Sequence, residues 1–214
     1  MAAKGTRGIL ARISGRAITF FARAVTAVRP VWQGIDPDRP RQRVYFANHA
    51  SHGDFILIWA VLPPRQQLAT RPVAGADYWR TGLRRFIGSD VFNALLIERN
   101  GGGNPVDLMA EALDGGASLI IFPEGTRNQT EAELLPLKSG IYHLARLRPE
   151  IELVPVWIEN LNRVLPKGAF IPVPLMCRVI FGAPLHVGTD EAKDDFLTRA
   201  RDALLTLRPK PEGN

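Results

Sequence analysis

Apolar residues fall into two patterns along the chain. Short continuous apolar blocks, bounded by polar or Gly/Pro positions, read as strands at Val44–Ala47, Leu68–Ala74, Ala94–Ile97, Ser118–Phe122, Ile151–Ile158 and Cys177–Phe181. Stretches in which apolar positions return every three or four residues read as helices at Phe55–Leu62, Tyr78–Ile87, Pro105–Leu113 and Ser139–Leu147. Pro63-Pro64 ends the first of these, and Gly115-Gly116 closes the third, which Pro105 opens. A last helix, capped by Thr189 or Asp190, turns Phe196, Leu197, Ala200, Leu204 and Leu207 inward. Ser118–Phe122 has no polar alternation and is expected to be covered on both faces. Strands that alternate with helices predict an α/β fold with a mixed, mostly parallel sheet covered by helices on both faces.

The region 8–28 follows the helical pattern differently. At 100° per residue, Leu10, Ile13, Ala17, Phe20, Phe21, Ala24 and Val28 share one side, and Arg12, Arg16 and Arg23 lie opposite. Those arginines break the apolar run, so it is neither a signal-peptide core nor a clean membrane span. A basic amphipathic helix of this kind either docks on its own domain or lies in a bilayer interface with Arg against anionic headgroups. Pro30 and the stretch Gly34–Pro40 read as a linker. The expected organisation is a basic amphipathic segment over 1–34, one domain over 35–208 and a tail over 209–214.

Charge sharpens this division. The chain of 214 residues carries a formal +6, and residues 1–45 hold nine basic residues against Asp36 and Asp38. A basic end calls for a polyanionic partner: phospholipid headgroups, nucleic acid or a phosphorylated substrate. With 46% hydrophobic residues the chain can bury a substantial core, which excludes the disordered class. Cys177 is the only cysteine, so neither an internal disulfide nor a Cys-rich zinc site is possible. It lies inside a strand block and reads as a buried small hydrophobe.

Three polar clusters follow predicted strands, where α/β folds place ligands. The first is Asn48-His49-Ala50-Ser51-His52-Gly53-Asp54. The second is Leu96-Ile97-Glu98-Arg99. The third is Phe122-Pro123-Glu124-Gly125-Thr126-Arg127. An imidazole beside a carboxylate suits general-base work near neutral pH, and two arginines suit a phosphate. His52 lies only two residues from Asp54, a poor spacing for mutual orientation, and reads as a turn or rim residue. No spacing suggests a metal site. There is no Gly-x-Ser-x-Gly elbow, so a serine nucleophile has no candidate.

Taken together these clusters resemble the glycerolipid acyltransferase family that includes 1-acylglycerol-3-phosphate acyltransferase. Asn48, His49, Ser51 and Asp54 match its Asn-His-x-Ser-x-x-Asp block, Phe122 through Arg127 match its Phe-Pro-Glu-Gly-Thr-Arg block, and Val154-Pro155-Val156 matches a later block. The order and spacing agree over about residues 44–160. The Arg block departs: Asn93 stands where the family usually has Gly and Glu98 where it has Asp, with Arg99 kept.

The resemblance implies transfer of a fatty acyl group from acyl-CoA or an acyl carrier protein to the free hydroxyl of lysophosphatidic acid, giving phosphatidic acid. His49 would be the base and Asp54 its orienting partner. Arg99, Glu124, Gly125, Thr126 and Arg127 would form the acceptor site, with Lys138 and Pro155 near the acyl donor. No metal or cofactor is implied beyond the co-substrate. The implied partners are a membrane phospholipid surface, the lysophospholipid and the acyl donor, not nucleic acid, at the cytoplasmic face of a membrane in a peripheral or monotopic position. Another lysolipid, such as a lyso-ornithine lipid, or glycerol 3-phosphate would fit the same chemistry. A thioesterase would leave the phosphate-binding set without purpose. A non-catalytic basic lipid-binding protein is the rival of a different class.

Overall fold

The computed structural model describes residues 2–51, 53–77, 79, 82–98, 101, 103–159 and 177–209, with the backbone alone described at 2–9, 11, 12, 83 and 84. Among these residues seven strands share one sheet: β1 (Arg29–Trp32), β2 (Arg43–Ala47), β3 (Thr70–Gly75), β4 (Leu95–Ile97), β5 (Ser118–Ile121), β6 (Glu152–Glu159) and β7 (Arg178–Phe181). Their spatial order is β1-β7-β6-β2-β5-β3-β4. Every neighbouring pair is parallel except β6 with β7, which is antiparallel. The helices are α1 (Ala2–Thr26), α2 (Asp54–Val61), α3 (Pro64–Ala69), α4 (Gly82–Arg85), α5 (Pro105–Asp114), α6 (Gly140–Leu147) and α7 (Lys193–Thr206), with a π-helical turn over Phe86–Val91.

The two-residue period of the strands sorts the core onto two faces. Val44, Phe46, Leu119, Ile121, Leu153 and Trp157 pack on the face covered by α5, α6 and α7. Tyr45, Ala47, Ile120, Val154, Val156 and Ile158 face α2. The expected mixed, mostly parallel sheet with helices on both faces is therefore the observed one. β2 and β5 are wholly buried and central, which is why their sequences show no polar alternation.

Four local expectations need correction. Pro30 belongs to β1, not to a linker. β1 is an edge strand, where a residue without an N–H is tolerated. Leu68 and Ala69 close α3, and β3 begins at Thr70. The helix read over Tyr78–Ile87 is described only from Gly82, and it passes into the π-helical turn. The start of α7 falls at Lys193 after Ala192, which makes no side-chain cap, so neither Thr189 nor Asp190 caps it.

The first helix docks on α2 and the π-helical turn through Ile18, Ala22 and Val25. At Gly15 the helix lies against both partners, at a spacing where a Cβ would make ordinary contact, 3.4 Å from Val91 and 3.6 Å from Trp59. The Arg23 guanidinium donates to the carbonyl of Ala60 at 2.6 and 3.1 Å. The apolar stripe expected on this helix faces away from the domain, with Phe20 76% and Phe21 65% exposed beside Leu10 and Ile13. Among the described residues, no helix is long and apolar enough to cross a membrane.

Candidate active site

β2 and β5 lie side by side, with Phe46 opposite Ile121, so the chain leaves both strands at one end of the sheet. This brings the first and third polar clusters together. Asn48 continues the ladder with its side chain: its amide nitrogen donates to the Ile158 carbonyl at 3.1 Å, and its amide oxygen accepts from Ile158 N–H at 2.7 Å. That bidentate contact ties the exit of β2 to β6 and sets where His49 stands.

The His49 Nδ1–H donates to Asp54 Oδ2 at 2.8 Å. A carboxylate can only accept, so Nδ1 carries a proton, and in the neutral ring Nε2 then keeps its lone pair. Asp54 is 1% exposed, and its Oδ2 also accepts Ala50 N–H at 2.7 Å and Ser51 N–H at 2.9 Å. The five-residue spacing works because the turn between β2 and α2 wraps around this one oxygen, and Asp54 begins α2. Phe122 stacks on the imidazole, with ring centroids 4.1 Å apart and planes 19° apart. Ring and carboxylate thus share one environment, and the ring's open nitrogen can take or return a proton.

The loop after β5 holds the same histidine by its backbone. Glu124 Oε1 accepts His49 N–H at 2.7 Å, and Asn128 N–H donates to the His49 carbonyl at 2.6 Å. The second oxygen of Glu124 accepts Leu135 N–H at 2.9 Å. Burial pushes the Glu124 carboxyl up from the ordinary range, and its two N–H donors offset part of that rise. Gly125 has φ +72°, a left-handed conformation that suits glycine. The Lys138 stem lies across it, so that a Cβ on Gly125 would sit 2.4 Å from Lys138 Cε.

Two cavities meet at His49. One, of about 560 Å³, is largely apolar, walled by Phe55, Trp79, Phe92, Met109, Phe122 and Ile141, and Arg127, Lys138 and Thr126 also line it. Neither Arg127 nor Lys138 has a carboxylate partner among the described residues. Trp79 reaches this wall because Gly88 has no side chain: a Cβ there would lie 2.7 Å from the indole. The other cavity, of about 390 Å³, is polar. Among the described residues Asp54, Glu124, Glu131, Glu133 and Glu159 line it, and no Lys or Arg does.

The structure thus gathers His49, Asp54, Glu124, Gly125, Thr126, Arg127 and Lys138 within two adjoining loops and the cavities they border. Arg99 and His52 lie outside the described residues. Pro155 does not join the site: it is buried midway along β6, lines neither cavity, and its carbonyl accepts Gly182 N–H at 2.9 Å. Asn93, the departure from the usual Gly, has φ +49°. Asn takes this left-handed conformation more readily than other non-glycine residues, so it can make the turn before β4. Asn48 and Phe122 belong to the two motif blocks, which imply no such role for them, and Asn128 lies just outside; their contacts join segments distant in sequence, so the roles are not readable locally.

Comparison with known proteins places these loops in context. A 1-acyl-sn-glycerol-3-phosphate acyltransferase of Limnanthes douglasii is 27% identical over 197 residues, 85% of this chain and 65% of that protein. The enzyme of the same name from Cocos nucifera is 30% identical over 174 residues, 77% of this chain and 52% of that protein. The chain thus spans about two thirds or less of the length of these relatives. In fold it is similar to the crystal structure of the 1-acyl-sn-glycerophosphate (LPA) acyltransferase PlsC from Thermotoga maritima, with TM-score 0.67, 21% identity, and 90% of this chain and 77% of that one covered. The sequence model of the Acyltransferase family matches residues 33–159, which contain both site loops, and the chain belongs to that family.

Proposed function

We propose that the protein moves a fatty acyl group from a thioester, acyl-CoA or acyl carrier protein, to the free hydroxyl of lysophosphatidic acid, with His49 as general base. The observation that carries this reading is the oriented His49–Asp54 pair at a largely apolar cavity also lined by two cations, Arg127 and Lys138, that have no carboxylate partner among the described residues. Nε2 takes the hydroxyl proton as the oxygen attacks the thioester carbonyl. Asp54 stabilises the imidazolium that results. The tetrahedral intermediate collapses with cleavage of the C–S bond, and the imidazolium proton goes to the departing thiolate. The products are the ester and the free thiol, without an acyl-enzyme.

The cavity volume falls within the range of small-molecule binding sites, and its apolar wall suits an acyl chain. Arg127 suits the acceptor phosphate, and Lys138, expected near the acyl donor, lines the same cavity as Arg127 and suits that phosphate too. Among the described residues Glu133 and Glu159 of the polar cavity are paired with Arg208 and Arg178, whereas Glu124 and Glu131 have no cation partner there and would disfavour that phosphate, which favours the apolar side for the acceptor headgroup. The first helix adds the setting. Leu10, Ile13, Phe20 and Phe21 project from it with Arg16 also exposed, an arrangement suited to the interface of an anionic bilayer. The protein would then meet its acceptor within the lipid surface, as a peripheral or monotopic protein of the cytoplasmic face.

The test is an initial-rate assay with acyl-CoA and lysophosphatidic acid. His49→Ala should lose at least about 10³-fold in kcat, the range for removal of a base that acts as a unit with its partner. Turnover at the wild-type rate in that variant would remove the mechanism. A product profile from mixed lysolipids, with lyso-ornithine lipid and glycerol 3-phosphate included, identifies the acceptor. For the bilayer, Phe20→Ser with Phe21→Ser should weaken sedimentation with anionic vesicles at unchanged melting temperature. Undiminished sedimentation would refute that placement.

A further inference from the structure

We propose that Glu124 is a positioning residue that fixes the backbone of His49, and not a ligand of the acceptor. The proposal rests on His49 being the base. Glu124 is 3% exposed, and each of its oxygens already accepts a backbone N–H, one from His49 and one from Leu135. Its carboxylate lines the polar cavity, whereas Arg127, Lys138 and Thr126 line the apolar one. A phosphate-bearing acceptor held by those cations therefore does not need Glu124.

What Glu124 does reach is the peptide group that carries the base. His49 has its N–H held by Glu124 and its carbonyl held by Asn128, so both backbone polar groups are anchored to the loop after β5. Asp54 and Phe122 hold the ring. Because Asp54 at the start of α2 anchors the ring nitrogen while the loop after β5 anchors the backbone, the position of Nε2 depends on the register between the two loops. Glu124 is the brace that sets it. The brace has its own footing: through Leu135 N–H it grips the segment that Arg201 of α7 secures, by donating to the carbonyls of Leu134 and Leu135 at 3.0 and 3.3 Å. A line of contacts thus runs from α7 through the 134–135 segment and Glu124 to His49. Arg201 lines neither cavity.

Glu124→Gln replaces one accepting oxygen with an NH2 that faces an N–H donor, so one of the two bonds is lost and the loop register relaxes. Since a displacement of about 1 Å can cost about 10²-fold in rate, Glu124→Gln should lower kcat by roughly 10- to 100-fold. The acceptor KM should stay within about two-fold, because an interaction felt only through the base leaves ground-state binding alone. Arg201→Ala should lower kcat by a smaller factor, roughly two- to five-fold, again at constant KM. The experiment is steady-state kinetics of full-length wild type, Glu124→Gln, Arg201→Ala and His49→Ala with acyl-CoA and lysophosphatidic acid, alongside thermal melts. A Glu124→Gln variant with near-normal kcat and a KM raised tenfold or more would overturn the proposal in favour of acceptor binding. Unchanged kinetics would overturn it too. Should Glu124→Gln fail to fold, Arg201→Ala decides, and a wild-type kcat in that variant overturns the brace. An active His49→Ala variant would instead strike the underlying reading of the base, which separates the two failures.

Discussion

Replacing Asp54 by Asn tests how the imidazole is held, and the geometry fixes the size of the effect. Oδ2 accepts three N–H groups, from the His49 ring and from the backbones of Ala50 and Ser51, while Oδ1 is buried without a partner. An Asn side chain has two ways to sit. With its oxygen at the Oδ2 place, all three bonds survive and only the NH2 is left buried and unpaired. With its NH2 there, two backbone N–H groups face another donor, at about 1–3 kcal/mol each, and the ring is driven to the wrong tautomer. The first orientation is therefore the stable one, and Nδ1 keeps its proton. What is lost is the carboxylate charge. A hydrogen bond to a charged acceptor contributes about 1.5–3 kcal/mol and a neutral one about 1, a difference of roughly 0.5–2 kcal/mol in support of the imidazolium. At 1.36 kcal/mol per tenfold, kcat should fall by roughly 2- to 30-fold. This is far less than the roughly 10⁴-fold expected where the amide inverts the tautomer. Rates of thiol release at saturating acyl-CoA and lysophosphatidic acid, with a melting curve for each variant, measure it. A loss near 10⁴-fold would show that the backbone donors do not orient the amide. A rate equal to wild type would show that Asp54 does not support the base.

Two further outcomes follow from the same site and its surroundings. Gly125→Ala forces a left-handed backbone on alanine, at about 1–2 kcal/mol, and drives the Lys138 stem off the loop. It should lower the melting temperature by roughly 2–8 °C and raise the acceptor KM several-fold, and an unaltered KM would dismiss Lys138 as a phosphate contact. The Cys177 thiol is fully buried and pushed up to about 11, mainly by desolvation. Native protein at neutral pH should resist a maleimide that labels it completely in denaturant, and Cys177→Ala should keep its turnover; rapid native labelling would contradict this burial.

The legible parts of the molecule were those in which neighbouring residues decide the outcome. β5 and β2 could be read because strands buried on both faces must be apolar throughout. The His49–Asp54 pair could be read because one short turn contains both partners. β1 could not, since Arg29-Pro30-Val31-Trp32 has weak strand character and its partner is β7, far along the chain. The π-helical turn likewise has no local signature: Gly88, Ser89 and Asp90 suggest a loop, and packing against Trp79 and α1 imposes the coil. Glu124 was visible as a conspicuous acid, but its partners are backbone amides of His49 and Leu135. Every residue but proline offers such a donor, so sequence cannot single out which ones a carboxylate will meet.

The pairing of Arg29 with Arg178 has a consequence for biosynthesis. At roughly 5–20 residues per second, a ribosome needs on the order of ten seconds or more to make the stretch between them. During that interval the leading helix has no completed sheet to anchor its junction, and its greasy outer side is available to whatever nonpolar phase is at hand. The N-terminal edge of the sheet is thus zipped up late, and a nascent chain that stalls before β7 would leave that edge open for association with a neighbour.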